Sequence, residues 1–266
     1  MSDDFKWPED GLGDFLQTAE SGTRHVATHP DYATEYHYLS LINDLSALLL
    51  QADLRSDAAS VLTRTMLSRF RGAYFGAARL IMGGQIPEAY MVARGALEAG
   101  LFGYIVFRSP DLERVWSNRH DSIETVNECR DAFTASKAFR LLKPPAVTDP
   151  YIENDLRYLY DDLIDHGGHP NVGAVKPHSR EEKYIERIEG NTATVVTRGS
   201  VLFINYDAIT HHRCVRRVVQ TGIGVLRLYE MIDPQFFRDN GLDKHVVEAT
   251  QVLWREEIHH VKPPRR

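Results

Sequence analysis

The sequence predicts an all-α protein, a helical bundle that carries one small inserted β-hairpin. Over most of the 266 residues, apolar side chains recur at steps of three and four, which is the spacing of one face of an α-helix. Apolar and polar residues alternate in one short stretch, near residues 183–198. The connections between the helical stretches are short, and this favours antiparallel neighbours in a bundle.

Composition indicates a folded, acidic protein. Hydrophobic residues make up 43% of the chain, enough for a sizeable core and too many for a disordered chain. The net charge of −6 gives no overall attraction to nucleic acid or to an anionic membrane, so any basic binding site must be local. The two cysteines, Cys129 and Cys214, suggest neither a disulfide framework nor a thiolate zinc site. We expect two buried, unreactive thiols.

The sequence also predicts a cytoplasmic protein without a membrane association. The chain begins with acidic residues and lacks the basic start and apolar run of a secretory signal. Its most apolar stretch, Gly95 to Phe107, contains Glu98 and is shorter than the ~20 residues that a membrane-spanning helix needs.

The hydrophobic pattern divides the chain into an arm, one domain and a tail. Residues 1–35 form an N-terminal arm with a short helix. Residues 36–262 form a single helical domain, with the hairpin inserted at about 183–198. Residues 263–266 are a frayed tail.

Three helices open the domain. The first covers Tyr36 to Gln51, and the second is capped by Asp57 and ends at Gly83. The third begins at Pro87, a residue that suits the first turn of a helix. From Ala89 to Phe107 this helix is apolar nearly all round, so it should lie at the centre of the fold.

The second half of the chain contains four more predicted helices and the hairpin. The helices are Ser109 to Leu142, Asp149 to Gly167, one that opens at Ser200, and Leu242 to His260. The hairpin strands are Tyr184 to Ile188 and Thr194 to Thr197, with a turn around Gly190.

The common enzyme signatures do not occur in the sequence. The chain contains no HExxH, GxSxG, GxxxxGK[ST] or SxxK. Gly222 and Gly224 form a GxG, but it lies inside a helical pattern without a preceding strand, so it is not a dinucleotide fingerprint.

Arg94 and Glu98 are the only charged residues in the apolar part of the third helix. They are four residues apart and share one face. One interpretation is a surface ion pair worth at most about 0.5 kcal/mol. The other is that a buried helix retains two charges because they line a polar pocket. Arg119 and His120, at the edge of the next predicted buried face, would meet this pair if the two helices are adjacent.

A cation is expected near the acidic end of the helix predicted from Asp149 to Gly167. Asp161, Asp162 and Asp165 lie where the helix dipole disfavours negative charge, so a protonated histidine, an arginine or a metal should be close. His166 follows, either as a cap of the helix end or as a ligand, and His169 comes next. Carboxylates and histidines suit zinc, iron or manganese. Asp162, Asp165, His166 and His169 are therefore weak metal candidates, and no cofactor is predicted.

The last long helix carries a histidine and an arginine group. His211 lies on the apolar face, which predicts a core histidine with a hydrogen-bond partner. His212, Arg213, Arg216 and Arg217 form either a solvated face or a local basic patch for RNA phosphates or a small anion. The candidate phosphate- or ligand-binding residues are Arg119, His211, Arg213, Arg216 and Arg217.

Three segments resemble uncharacterised bacterial proteins of the HEPN-like helical superfamily. They are "ARGALEAGLFGYIVF" from Ala93 to Phe107, "ERVWSNRHD" from Glu113 to Asp121, and "LYDDLIDHGGHPN" from Leu159 to Asn171. The resemblance covers roughly residues 36–235. It implies a helical bundle that is frequently a dimer. Many members are metal-independent ribonucleases of toxin–antitoxin or antiphage systems, with an Arg-x4-6-His motif.

Four residue pairs match that motif. They are Arg24 to His29, Arg114 to His120, Arg238 to His245, and Arg255 to His260. The second pair is the best placed, because it lies on a predicted core helix beside the proposed pocket. The candidate catalytic residues are Arg94, Glu98, Arg114, His120 and His169.

Three functions remain open at this point. The first is a HEPN-like binding or sensing module without catalysis. The second is a metal-independent endoribonuclease. His120 or His169 would act as general acid and base, and Arg94 or Arg114 would stabilise the negative charge of the phosphate. The third is a metal-dependent hydrolase or oxidase; it would use Asp162, Asp165, His166, His169 and His211. The expected partners are a second copy of the chain and RNA or a small anionic ligand.

Overall fold

The computed structural model describes most of the chain. The described residues are 8, 11–51, 60–142, 149–168, 179–189, 192–201 and 208–255. At 168, 179–189, 192–201, 208–210 and 255 the description covers the backbone alone. Asp57 and His169 lie outside the described residues, as does the end of the chain beyond residue 255.

Helices make up the described bundle, and the predicted all-α class is confirmed. They are α1 (Gly11–Thr28), α2 (Ala33–Gln51), α3 (Val61–Met82), α4 (Ile86–Arg108), α5 (Asp111–Ser117), α6 (Ile123–Ala132), α7 (Ala135–Leu141), α8 (Ile152–Leu163), α9 (Ala208–Ile232), α10 (Pro234–Asp239) and α11 (Leu242–Thr250). A 3-10 turn, Pro30–Tyr32, joins α1 to α2. Two π turns, Ile164–Gly168 and Gln251–Arg255, extend α8 and α11.

The predicted hairpin falls in a segment of which the backbone alone is described. The backbone runs as two antiparallel strands, β1 (Ser179–Glu189) and β2 (Thr192–Val201), with an irregularity between Ile185 and Arg187. A hairpin packed as an insertion on the bundle stays a prediction.

Helices α4 and α9 pack closely at the centre of the bundle. A Cβ added at Gly100 would lie 2.6 Å from Cγ2 of Val225, and one at Gly103 would lie 2.8 Å from Oη of Tyr229. The two glycines therefore let the helix backbones approach where larger residues would keep them apart. The central position predicted for the apolar third helix is confirmed.

Helix α4 is also long and apolar enough to cross a membrane, judged by length and composition alone. Most of that stretch is buried inside the bundle. A core helix of this kind meets the same criteria as a membrane span.

Gly222 and Gly224 serve the packing of α9. A Cβ at Gly222 would lie 2.7 Å from Cδ1 of Ile42, and one at Gly224 would lie 2.5 Å from Cδ2 of Leu156. Both glycines sit inside the helix, facing neighbouring side chains. This agrees with the interpretation that the GxG is not a dinucleotide fingerprint.

The long helix predicted over residues 109–142 is wrong, because local caps divide it into α5, α6 and α7. The side chain of Ser122 accepts a hydrogen bond from the backbone N–H of Thr125, and the Thr125 side chain accepts one from the Ser122 N–H. Thr134 caps α7 in the same way through the N–H of Lys137. Each cap satisfies backbone donors that a continuous helix would bond internally, and so starts a new helix.

Several helix ends also differ from those predicted. Helix α1 is 18 residues long rather than short. Ser60 caps α3 by accepting from the Thr63 N–H. Ser200 lies in β2, and the following helix begins at Ala208. The strand pattern continues to Val201, which explains why Ser200 does not act as a helix cap there.

Candidate functional site

Arg94 and Glu98 lie at the surface of the bundle. Nε of Arg94 is 3.5 Å from Oε1 of Glu98, and the two side chains are 35% and 29% exposed. Tyr160 of α8 donates a hydrogen bond to Oε1 of Glu98 at 3.0 Å. Burial, and then the Glu98 carboxylate, raise the pKa of Tyr160 to about 12. The pair is thus a half-open ion pair held from one side by a tyrosine.

A shallow pocket of about 90 Å³ adjoins Glu98 between α3, α4 and α5. Its lining residues are Met66, Arg69, Gly95, Glu98, Ala99, Phe102 and Trp116. The wall is apolar and aromatic, and the two charged residues have opposite signs. Nothing lies within 4 Å of the position that a Cβ would take at Gly95. The volume is below the ~300 Å³ at which drug-sized sites begin, so the pocket suits a group of side-chain size.

Arg119 borders this pocket through Trp116. Its guanidinium lies over the Trp116 ring, 4.4 Å from the centroid, and donates to the Trp116 carbonyl at 2.9 Å. Of the candidate residues, Glu98 lines this pocket, and Arg119 contacts its lining residue Trp116. Arg114 and His120 are exposed, and neither lines it.

The cation expected beside the acidic end of α8 is Arg217. Its Nε lies 2.9 Å from Oδ2 of Asp162, and the two side chains are 3% and 12% exposed. Arg217 also donates to Oε1 of Gln220 at 2.7 Å and to the Tyr158 hydroxyl at 3.2 Å. Of the three alternatives left open by the sequence, the structure favours the arginine.

The other weak metal candidates have separate positions. His166 Nδ1 lies 3.0 Å from the carbonyl oxygen of Asp162, and because a carbonyl only accepts, Nδ1 carries the proton. His166 thus caps the last turn of α8. Asp165 is exposed. Among the residues that the structure describes, no group of three or more His, Cys, Asp or Glu is placed to hold a metal ion.

The arginines of α9, for which the sequence left a solvated face and a local basic patch open, differ in their burial. Arg213 is exposed, whereas Arg217 is buried against Asp162. Arg216 donates to the carbonyl of Val252 at 2.6 Å. Helix α9 is surrounded on most sides, so Arg216 and Arg217 find acceptors inside the protein instead of water.

His211 is a core histidine, as predicted, and is fully buried. Its Nε2 lies 2.6 Å from the carbonyl oxygen of Ile81, so Nε2 carries the proton. Its Nδ1 lies 2.9 Å from the Tyr32 hydroxyl, which donates to it. Burial lowers the pKa of His211; the bond to Ile81 opposes this, and the nearby His25 and His212 add to the lowering.

A histidine cluster around Tyr32 was not recognised from the sequence. We call the four rings His25, His29, His211 and His212 the Tyr32 cluster. Their centroids lie 5.7, 6.5, 5.5 and 5.5 Å from that of Tyr32, respectively. His25 and His29 are 4.6 Å apart. The sequence offers two local pairs of histidines, one at i,i+4 spacing and one adjacent. That both pairs contact Tyr32 depends on tertiary packing.

A second ion-pair group that the sequence did not reveal surrounds Arg227. Its Nη1 donates to Oδ2 of Asp155 at 2.8 Å, and its other nitrogens donate to Asp149. The side chain of Arg227 is 5% exposed. Burial raises the pKa of Asp155, and Arg227 opposes the rise. This group ties α9 to α8 and to the segment just before α8.

Comparison with known proteins gives no match among family models, curated proteins or solved structures.

Proposed function

We propose that this protein is a HEPN-like helical bundle that works as a binding or sensing module, in a defence or toxin–antitoxin setting. Its ligand site is the pocket between α3, α4 and α5. The supporting observation is that this pocket combines an aromatic wall with charged groups but has no histidine in its lining. The cytoplasmic homodimer and the packed hairpin near residues 183–198 belong to the same proposal.

The positions of the histidines favour binding over catalysis. A general acid or base must lie within hydrogen-bond reach of the reacting group. His166 bonds to a backbone carbonyl, and both ring nitrogens of His211 are bonded in the core. Neither is a lining residue of the pocket, so neither supplies acid–base chemistry there.

The lining residues indicate the chemical class of the ligand. Met66, Phe102 and Trp116 suit a flat apolar body. Arg69 is the cation among the lining residues. An anionic group on the ligand would pair with its guanidinium. A small aromatic carboxylate, or a side chain of a partner with the same chemistry, fits this description.

Benzoate tests the pocket. In wild-type protein we expect saturable changes in the amide NMR signals of Gly95, Glu98 and Phe102 as benzoate is added. Gly95→Leu should abolish them, because the new side chain occupies the pocket. Gly72→Leu is the matched control, since Gly72 is also helical with open space at its Cβ and does not line the pocket. Unchanged signals in wild type, or equal binding in Gly95→Leu, would overturn the site.

The metal-independent endoribonuclease is the second candidate. Arg114 and His120 are both exposed and therefore accessible to RNA. The test is incubation of purified protein with RNA in EDTA, comparing wild type with His120→Ala and with His37→Ala, an exposed histidine on α2. Intact RNA supports the binding module. Cleavage that disappears in His120→Ala alone would replace it.

The metal-dependent hydrolase has no comparable support. Of its candidate ligands, Asp162 is paired with Arg217 and His211 is bonded through both ring nitrogens in the core.

A further inference from the structure

The Tyr32 cluster presents three imidazoles at the surface around one buried ring. His25 is exposed, and the side chains of His29 and His212 are 43% and 37% exposed. Tyr32 itself is 4% exposed. Each of the three imidazoles therefore contacts Tyr32 and is open to solvent, in a part of the molecule that the α3/α4/α5 pocket does not include.

Hydrogen bonds to His29 and His212 determine which ring nitrogen carries the proton in each neutral imidazole. The backbone N–H of Asp31 donates to Nδ1 of His29 at 3.3 Å, so neutral His29 carries its proton on Nε2. Nε2 of His212 lies 3.1 Å from Oε2 of Glu35, and an ionised carboxylate only accepts. Neutral His212 therefore carries its proton on Nε2, and its Nδ1 becomes a donor when the ring is protonated. His29 offers a donor in either state, and His212 gains one on proton uptake.

The charged groups around the cluster leave a surface whose positive charge depends on protonation of the histidines. Its charged and titratable neighbours are His25 of α1, His29 and Asp31 of the 3-10 turn, Glu35 of α2, and His211, His212, Arg213 and Arg216 of α9. Glu35 is 2% exposed and already has His212 and Arg216 as partners. From α3, Arg79 donates to the Thr23 hydroxyl of α1. Protonation of the three outer rings thus adds positive charge beside the exposed Asp31, whose Oδ2 lies 3.6 Å from Nδ1 of His29.

The rings of His25 and His29 lie close enough for one anion to contact both. Their centroids are 4.6 Å apart. An anion that bridges the rings makes their protonation easier, and protonation makes the anion bind more tightly. Proton uptake and anion binding are then linked. A tetrahedral oxyanion suits the site, since it accepts hydrogen bonds from several directions at once.

We propose that His25, His29 and His212 form a second binding site, which takes an oxyanion of the phosphate class and takes up protons as it binds.

Calorimetric titration with inorganic phosphate and with sulfate tests this site. Sulfate keeps its charge between pH 6 and pH 8, so its pH dependence reports on the protein alone. We expect both anions to bind at pH 6, and sulfate to bind about tenfold or more weakly at pH 8, because an anion binds more tightly to a charged imidazole than to a neutral one. Titration in two buffers of different ionisation enthalpy should show net proton uptake.

Matched variants locate the site. His29→Asn keeps a residue that can cap the 3-10 turn but removes the ring, and His25→Gln removes an exposed ring. Each should weaken sulfate binding at pH 6 by about fivefold or more. His37→Asn should leave binding unchanged, and so should Gly95→Leu, which separates this site from the α3/α4/α5 pocket. Absence of binding at pH 6, equal binding at both pH values, or equal weakening in His37→Asn would overturn the proposal. Circular dichroism confirms that each variant is folded.

Discussion

Two arginine–carboxylate pairs in this molecule have the same chemistry and opposite surroundings. The open pair, Arg94 and Glu98, lies along one helix with both side chains about a third exposed. The sealed pair, Arg217 and Asp162, joins α9 to α8 with side chains 3% and 12% exposed. Water screens the first pair and is largely excluded from the second.

The difference shows that burial, more than the ion pair itself, decides what a charge contributes. In the open pair, each charge can return to water if its partner is lost. In the sealed pair, Asp162 supplies the carboxylate for a buried Arg217, which also bonds to Tyr158 and Gln220. The sealed pair therefore links α9 to α8, while the open pair stays in contact with water.

The largest expected effect comes from breaking the sealed pair. Asp162→Ala leaves the Arg217 guanidinium buried without its carboxylate, so we expect the free energy of unfolding to fall by about 3–5 kcal/mol. Urea denaturation measures the change. Glu153→Ala is a matched control, because it removes one partner of the pair Arg157–Glu153 on the more exposed side of α8. Equal loss in the two variants would show that the sealed pair has no special role.

The sequence predicted half of this arrangement. The three aspartates at the end of α8 require a cation for a local reason, the helix dipole, and local reasons can be read from the sequence. Which cation supplies the charge could not be predicted, because Arg217 comes from a helix far along the chain. The Arg94–Glu98 pair was predictable for the same reason that it is weak: both residues belong to one helix, at i,i+4 spacing.

The Tyr32 cluster could not be predicted from the sequence for the same reason. Its members form two local pairs in the sequence, and neither pair by itself predicts a site. The cluster exists because Tyr32 of the 3-10 turn contacts rings from the end of α1 and from the beginning of α9. Burial of His211 was predictable from the apolar stripe of α9, whereas its bonds to Tyr32 and Ile81 were not.

Two glycines of α4, Gly100 and Gly95, also have opposite surroundings. At Gly100 a Cβ would meet all three side-chain carbons of Val225, at 2.6, 2.7 and 3.1 Å, and a β-branched side chain moves little. Gly100→Ala should cost about 1–3 kcal/mol of unfolding free energy. Gly95→Ala, on the open side of the same helix, should be neutral or stabilise by up to about 1 kcal/mol.

Thermal or urea unfolding of both glycine variants measures these effects. Changes of opposite sign in the free energy of unfolding would support a sealed face at Gly100 and an open face at Gly95. Destabilisation of similar size in both would mean that helix α4 does not tolerate substitution on either face.

A pH effect distinguishes buried from exposed histidines. The pKa of His211 is lowered by burial, so the folded protein binds fewer protons at this residue than the unfolded chain. The stability from His211 is complete above the unfolded pKa of ~6.5 and is lost as the pH falls toward the lower folded value. The slope approaches about 1.4 kcal/mol per pH unit for one proton.

Replacing His211 shows how much this residue contributes to the pH dependence of the free energy of unfolding. His211→Gln should be less stable than wild type at pH 7.5, and the gap should narrow as the pH falls to 5. Urea denaturation across this pH range measures both proteins, and the difference between them removes the contribution of all other groups. His37→Gln, at an exposed position, should follow the wild-type curve. A gap that stays constant with pH would show that His211 keeps its ordinary pKa.

The smallest expected effect comes from breaking the open pair. Arg94→Ala should change the free energy of unfolding by no more than about 1 kcal/mol, because both charges of an exposed i,i+4 pair can be solvated by water. Its effect should shrink further in 0.5 M salt, which screens the remaining attraction. A stability loss near that of Asp162→Ala would mean that Arg94 is a structural residue, and that the open pair is as sealed in solution as Arg217 and Asp162.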